Sequence, residues 1–444
     1  MRLHTRIGAS VCLTVFSLLS ITLLLPSSRV STQLQKITLV SSIDKYASRL
    51  WNWGSDDDFE DRFRIVTFGD SWVDSLDEGA GGRGGTWVDV LCGEINCTSH
   101  LNFAASQPPS SYPASPPTGA ITSNQVYISS LNSSAQPPES PVSNLLPDLA
   151  TQIQEFIALP QSRSPRETIF VVSFGFWDIY HFAGLSYTLG QNATETTVNE
   201  LFTQLNILYN HYARQAANLT ASGLPANATG GINPSPAPFR LVIPKLFDPT
   251  LVPGWLSQRP VPLAPSSVSE QQKNAVHLTS HWNLLLENKM TTWIKEEESE
   301  VEGDDAQTAE GEQAEADEVA DPSEDLDWEE PIAVEKEIFY YDLPQYLLDL
   351  LLEHQLEESG LTDAAGLGTG ESPFESVSEP CVREAAPDDD DPLVDVNGLL
   401  VCREPAEYLF YDGFNLGPVA NEAIGKEIGA MIREGKDLAR VLGV

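Results

Sequence analysis

Basic residues are scarce in this sequence of 444 residues. Lys and Arg together number 25 against 64 Asp and Glu, which gives a formal net charge of −39 at pH 7. Nucleic acids and anionic membrane surfaces are bound mainly through Lys and Arg, so this balance argues against both as partners. Much of the acidic excess lies in one segment and therefore says little about the folded surface.

Cysteines are also few, with five in the chain. Cys12 lies in an apolar run near the N-terminus, which leaves Cys92, Cys97, Cys381 and Cys402. Their spacing does not match a zinc-binding pattern, and an even number favours disulfides in an oxidising compartment. The local choice pairs Cys92 with Cys97 and Cys381 with Cys402, although four cysteines allow three connectivities.

Histidines number seven, and they do not form a metal-binding pattern. His277 and His281 lie one helical turn apart, but no third ligand is evident. A glycine-rich stretch at 79–85 lacks both the flanking strand context and the lysine of a phosphate-binding loop. We therefore predict neither a metal nor an organic cofactor.

The N-terminus has the organisation of an export signal. A short basic end at 1–6 precedes an apolar run at 7–25, which is long for the core of a signal peptide and has no clear cleavage site after it. This favours an uncleaved signal anchor of a single-pass type II membrane protein, with the remaining chain lumenal or extracellular. A cleaved signal peptide and a secreted protein is the alternative, and 27–62 is interpreted as a stem.

Five asparagines in the exported part match the acceptor pattern for N-glycosylation, in which Ser or Thr follows two positions later and Pro does not intervene. A cluster of such sequons in a chain with an export signal predicts a glycoprotein. The sites are Asn96, Asn132, Asn192, Asn218 and Asn227.

The stretch from Phe63 to Asp74 organises the rest of the chain. A β-branched and aromatic run ends at Gly69 and is followed by Asp70 and Ser71. A buried strand that ends on glycine can place a serine at the carboxyl edge of a parallel sheet, where nucleophiles of α/β hydrolases lie. The same tripeptide could also be an ordinary helix N-cap.

Gly69-Asp70-Ser71, in the context FGDSWVD, resembles the first block of the SGNH or GDSL hydrolases, in particular fungal acylhydrolases and carbohydrate esterases. Later stretches resemble the other blocks in the expected order, but with substitutions. Asn102 to Gln107 resembles the second block, with Ser106 or Gln107 where the family has a glycine. Gly175-Phe176-Trp177-Asp178 resembles the third, and Asp412-Gly413-Phe414-Asn415 the last.

The resemblance implies a role for each matching position. Ser71 would be the nucleophile, and Asp412 would belong to the catalytic site. Asn415 stands where the family has the histidine that takes the serine proton, and an amide cannot accept and return that proton. Trp177 stands where the family has an oxyanion-binding asparagine, and could act as an N–H donor or as an aromatic wall.

The predicted fold is a three-layer α/β domain over 63–444, with a mainly parallel five-stranded sheet and helices on both faces. A Pro- and Ser-rich insertion at 108–141 is predicted to be a long loop or partly disordered. The acidic stretch at 296–330 is predicted to be a disordered insertion, because it has too little apolar surface to offset its ordering entropy.

Two functions follow. In the first, the protein hydrolyses short-chain esters or O-acylated carbohydrates with Ser71 as nucleophile and a histidine from elsewhere as base. His181, three residues after Asp178, is the best-placed candidate for that base, although the sequence favours an ordinary loop or helix-start histidine at this position. In the second, it is an inactive relative that retains the SGNH scaffold as a lumenal or extracellular binding module.

Overall fold

Short, largely buried strands form the centre of the fold. The computed structural model describes residues 63–75, 83–107, 118–133, 145–159, 167–221, 237–262, 266–302, 334–360, 372–384 and 399–442. Within these ranges the strands are β1 (Phe63–Gly69), β2 (Ser99–Asn102), β3 (Ser106–Gln107), β4 (Thr118–Gly119), β5 (Glu167–Ser173), β6 (Phe239–Pro244), β7 (Lys336–Tyr341), β8 (Val382–Glu384) and β9 (Leu399–Val401).

Helices connect and cover these strands. In chain order they are α1 (Trp87–Glu94), α2 (Asn124–Ser133), α3 (Leu149–Ile157), α4 (Phe176–Phe182), α5 (Tyr187–Ala221), α6 (Pro253–Ser257), α7 (Val268–Glu302), α8 (Leu343–Glu358), α9 (Pro418–Arg433) and α10 (Leu438–Leu442). Short 3-10 turns lie at Pro249–Leu251 and Pro405–Glu407.

The main sheet has five parallel strands in the order β2-β1-β5-β6-β7. Strands β1, β5 and β6 are buried over most of their length, which explains their continuous apolar sequences, because a parallel sheet is covered on both faces. Helix α3 packs on β1, α9 packs on β7 and α1, and α5 packs on both α3 and α7. The predicted fold class is therefore confirmed.

The strand order places a topological switch point between β1 and β5. The chain leaves β1 towards β2 on one side, and returns through β5, β6 and β7 on the other. In open α/β sheets, ligands bind in the crevice outside the carboxyl ends of the strands at such a point. The residues after β1 and β5 are therefore the first place to look for a functional site.

The stretch at 108–141 departs from the predicted loop. Its described part, 118–133, contains strand β4, which pairs antiparallel with β3, and helix α2. The acidic insertion lies partly outside the described residues, and the backbone of α7 continues helically to Glu302, beyond its predicted start at 296.

The two predicted local disulfides are present. Cys92 is bonded to Cys97, and Cys381 is bonded to Cys402 beside the antiparallel β8–β9 pair. The predicted basic end, anchor and stem at 1–62 lie outside the described residues. Within the ranges given above, the helices are all too short or too polar to cross a membrane.

Candidate functional site

The turn after β1 requires a glycine at position 69, because neighbouring atoms leave no room for a side chain. A Cβ on Gly69 would overlap the side chain of Val73 and lie 2.8 Å from the carbonyl oxygen of Ser173. The buried Gln152 side chain then fixes the turn, accepting from the Gly69 N–H at 2.8 Å and donating to the Gly69 carbonyl at 3.0 Å. The Asp70 N–H donates to the Ser173 carbonyl at 3.3 Å, so the ends of β1 and β5 are held together.

Ser71 lies at this junction and is only 4% exposed. Its Oγ accepts a hydrogen bond from Nε1 of Trp177 at 3.1 Å. Trp177 is in the first turn of α4, which begins after Gly175. Gly175 has a φ of 115°, a backbone conformation that residues other than glycine rarely adopt. Of the two roles considered for Trp177, the structure therefore places its N–H on the serine oxygen.

The Trp177 indole is buried and tightly enclosed. It is 1% exposed and packs against the rings of Phe176, Tyr180 and Phe414, with centroids 5.5, 5.1 and 5.0 Å away. At Gly119 in β4, any Cβ would overlap the indole around Nε1. The short β4 strand therefore holds the indole against Ser71, a contact that the Pro- and Ser-rich composition of this region did not predict.

Asp178 is anchored by the same region. Its carboxylate accepts from the N–H of Thr122 at 3.1 Å and from the Thr122 hydroxyl at 2.8 Å. Burial raises the pKa of Asp178 to about 6, although these hydrogen bonds to Thr122 lower it. The hydrogen bonds between Asp178 and Thr122 thus join α4 to the segment after β4.

Asp70 is the more strongly perturbed carboxyl group. It is 1% exposed, and its Oδ1 accepts from the Trp72 N–H at 3.0 Å. Burial raises the pKa of Asp70 to about 8, against the opposing effect of that hydrogen bond, and the negative charge of Asp178 raises it further. Asp70 is therefore mostly protonated at neutral pH.

The turn at Asp412 is closed on itself. The Asn415 amide donates from Nδ2 to both Asp412 oxygens, at 3.0 and 2.9 Å. The N–H groups of Phe414 and Asn415 also donate to Oδ1 of Asp412, at 2.9 and 2.8 Å. Asp412 thus orients the Asn415 amide, and Oδ1 of that amide is buried without a hydrogen-bond partner.

Arg83 is a site residue that the sequence did not reveal. It is 8% exposed, and its guanidinium donates to the carbonyl oxygen of Ser71 at 2.6 Å. Burial lowers the pKa of Arg83, while the nearby charges of Asp412, Asp74 and Asp70 raise it. Arg83 therefore places a positive charge near these groups, while its Nε and Nη1 are buried without hydrogen-bond partners.

No histidine provides a base for Ser71 among the six that the structure describes; His4 lies outside the described residues. His181 packs against the rings of Tyr127 and Tyr180, at centroid distances of 4.9 and 5.5 Å. Burial and, to a lesser degree, the charge of Arg259 lower its pKa to about 4. The others contact Thr67 and Asp89 (His100), Gln215 (His211), Tyr187 (His277), Glu195 (His281) and Glu358 (His354).

Of the second-block residues, Asn102 ends β2, and Ser106 and Gln107 form β3 beside this site. Ser106 donates from Oγ to a carboxylate oxygen of Asp74 at 2.6 Å, and Ser106 and Gln107 pair with Gly119 and Thr118 of β4. The N–H of Ala105 donates to the carbonyl of Gly69 at 3.1 Å. These contacts fix the loop beside β1 and involve neither atom of the Ser71 hydroxyl.

A recess opens at the carboxyl ends of β1, β5 and β6. It holds about 20 Å³, close to the room needed by one water molecule, and its lining includes Asp70, Trp72, Phe176, Lys245 and Phe247. The Trp72 ring lies 5.2 Å from that of Phe176 and 6.2 Å from that of Phe247, centroid to centroid. Its walls are mainly aromatic, and Asp70 and Lys245 are the ionisable residues that line it.

The predicted modification sites differ in their surroundings. Asn96, Asn132 and Asn192 are exposed, while the side chain of Asn218 and all of Asn227 lie outside the described residues. Within the described ranges, no three His, Cys, Asp or Glu side chains are grouped as metal ligands.

Neither the protein-family models nor the curated proteins compared with this chain match it. A functional assignment therefore depends on the site geometry and on the motif resemblance.

Proposed function

We propose that this protein is a ligand-binding module with an SGNH-type scaffold that does not catalyse Ser–His ester hydrolysis. One observation carries the proposal: the Ser71 hydroxyl has an indole N–H as its hydrogen-bond partner, and none of the six described histidines is bonded to it. A serine hydroxyl without a base is a weak nucleophile at neutral pH.

The large effect of a catalytic histidine on the rate of ester or peptide hydrolysis supports a binding function over a catalytic one. Removing the catalytic histidine of a well-studied serine protease lowers turnover by about 10⁶, whereas removing one oxyanion donor costs about 10²–10³. The amide of Asn415 is already engaged as a donor to Asp412 and cannot return a proton. His181 is a poor substitute, because its aromatic neighbours and depressed pKa disfavour the imidazolium that such a base must form.

The contact between Trp177 and Ser71 also disfavours attack by the serine. The indole donates to the Oγ lone pairs that would attack a carbonyl, and the enclosed ring leaves Ser71 almost without exposed surface. The site therefore stabilises the junction of β1 and β5 instead of presenting a reactive oxygen.

The recess beside Asp70 is the proposed binding place. The recess has room for a water-sized group, so a ligand would place only the end of a short acyl group, such as an acetyl methyl, against its aromatic walls. The resemblance to carbohydrate esterases makes O-acylated sugars the proposed ligand class. The glycosylation motifs and disulfides support a location in the secretory pathway, either membrane-anchored or secreted. The acidic balance argues against nucleic-acid partners.

A serine ester hydrolase is the second candidate. It is favoured by the Trp177 hydrogen bond itself, because an N–H directed at Oγ would stabilise a serine alkoxide once a base had accepted the hydroxyl proton. This candidate requires measurable Ser71-dependent turnover.

Both candidates can be tested with one set of ligands. We would titrate the purified full chain and its Ser71→Ala variant calorimetrically with an O-acetylated xyloside and with its deacetylated form, and follow acetate release in parallel. We expect saturable binding of the acetylated ligand by both proteins and equal, background release of acetate. Ser71-dependent acetate release would instead establish the hydrolase, and the absence of binding would refute the proposed ligand class.

A further inference from the structure

Helix α1 ends in a motif that determines the conformation of Asn96. Asn96 follows the C-cap residue Ile95 and has a left-handed backbone, with a φ of 52°. Its N–H donates to the carbonyl of Gly93 at 3.2 Å, and the N–H of Cys97 donates to the carbonyl of Cys92 at 2.9 Å. This pair of bonds is a Schellman motif, in which asparagine is the commonest substitute for glycine.

A disulfide locks the same turn. Cys92 and Cys97, whose backbones share one of the two bonds, are joined covalently with their Cα atoms 4.9 Å apart. In other Schellman motifs an apolar contact often connects these two positions. Here the covalent bond prevents the turn from unwinding into an extended strand.

The hydroxyl of the sequon is also engaged. In Asn96-Cys97-Thr98, the Thr98 Oγ1 donates to the carbonyl of Phe63 at 2.9 Å, and the Thr98 N–H donates to the same oxygen at 2.8 Å. The Asn96 side chain itself is exposed. An attached glycan would therefore have room, while the backbone and hydroxyl needed for its attachment are held by the fold.

We propose that Asn96 is an N-glycosylation site that can be used only before the Cys92–Cys97 disulfide closes. In the transfer, Nδ2 of Asn96 attacks the anomeric carbon of a lipid-diphosphate-linked oligosaccharide. The N-glycosidic bond forms, the bond between sugar and diphosphate breaks, the lipid diphosphate leaves, and the amide loses one proton to the transferase. The asparagine and the hydroxyl of the sequon must be presented together on an adaptable backbone, which the closed turn prevents.

The order of the two events has a consequence for the mature protein. Glycosylation before closure leaves both cysteines able to pair, because the Asn96 side chain is exposed. Closure before glycosylation leaves the site permanently unmodified. Occupancy at Asn96 therefore records which reaction came first, and this inference is independent of the proposed ligand-binding function.

The test compares the oxidised and reduced full chain, made without glycans, as acceptors for purified eukaryotic oligosaccharyltransferase with its lipid-linked donor. Glycopeptide mass spectrometry measures occupancy at Asn96. We expect loss of acceptance in the oxidised chain and recovery on reduction. The variant Cys92→Ser/Cys97→Ser, which keeps an Asn-Ser-Thr sequon, should accept glycan without reductant.

The matched control is Cys381→Ser/Cys402→Ser, which removes the other disulfide and should leave oxidised Asn96 unmodified. Equal occupancy at Asn96 in the oxidised and reduced chains would overturn the proposal. So would the absence of glycan at Asn96 in both the reduced chain and the Cys92→Ser/Cys97→Ser variant, because Asn96 would then serve only as the helix cap.

Discussion

The buried carboxyl group of Asp70 should make the stability of this protein depend on pH in an unusual direction. An aspartate in an unfolded chain loses its proton near its ordinary pKa of 3.8, whereas folded Asp70 retains it to about pH 8. Between these values the folded state binds one more proton than the unfolded state. The free energy of unfolding therefore falls as pH rises through this window, and its Asp70 component levels off above the folded pKa.

The magnitude follows from the same window. One pH unit is equivalent to about 1.4 kcal/mol for a group that is protonated in one state only. Since Asp70 is 1% exposed, solvent screening does not reduce this figure greatly. Between pH 5 and pH 7 the Asp70 contribution should thus decrease by about 3 kcal/mol. In Asp70→Asn, an amide oxygen can still accept from the Trp72 N–H. The variant has no group that titrates at this position, so the pH-dependent contribution of Asp70 to the free energy of unfolding is absent.

The assay is urea unfolding of wild type and Asp70→Asn at pH 5, 6 and 7. We expect the free energy of unfolding of the variant, relative to wild type, to rise by about 3 kcal/mol from pH 5 to pH 7. Asp349→Asn, which changes an exposed carboxylate, is the control and should follow wild type. Parallel curves for Asp70→Asn and wild type would refute the assignment of a raised pKa to Asp70.

Three further variants test contacts at the site and the Cys381–Cys402 disulfide. Cys381→Ser/Cys402→Ser should destabilise the fold by about 3 kcal/mol, since this disulfide closes a loop with a sequence separation of 21. Gly119→Ala should cost about 1–3 kcal/mol, because the added methyl group overlaps the buried indole of Trp177. Arg83→Met should cost about 1–3 kcal/mol, because the buried carbonyl oxygen of Ser71 loses its guanidinium donor. Urea denaturation measures all three.

Controls separate these effects from general damage. Gly93→Ala adds a methyl group where no atom lies within 4 Å and should change stability far less than Gly119→Ala. Lys426→Met removes an exposed cation, so it should be nearly neutral beside Arg83→Met. Wild-type stability in any of the three test variants would contradict the packing argument for that residue.

Much of the fold could be predicted because parallel strands that are buried on both faces have continuous runs of apolar residues in the sequence. The run that ends at Gly69 is β1, and the run from Thr168 lies within β5. A glycine at or shortly after the end of each run predicted approximately where each strand ends. The local disulfides could be predicted for a similar reason, since each joins cysteines that lie near one another in sequence.

The site was less predictable because its missing parts have weak local signals. Gly119 and Thr122 lie in a stretch dominated by Pro and Ser, and a two-residue strand such as β4 leaves no periodicity. Arg83 follows a glycine-rich segment, and its place is determined by long-range contacts with the turns at Ser71 and Asp412. The bond between Trp177 and Ser71 depends on the relative position of β1 and β5, which a motif does not specify.

The most direct test of the central claim is reaction of the full chain with a fluorophosphonate, which labels activated serines covalently. Intact-mass spectrometry of wild type and Ser71→Ala at neutral pH would detect the adduct. We predict no Ser71-dependent labelling, because Oγ is covered by the Trp177 indole and is not bonded to any of the six described histidines. Stoichiometric labelling of wild type that disappears in Ser71→Ala would contradict it and identify a serine hydrolase.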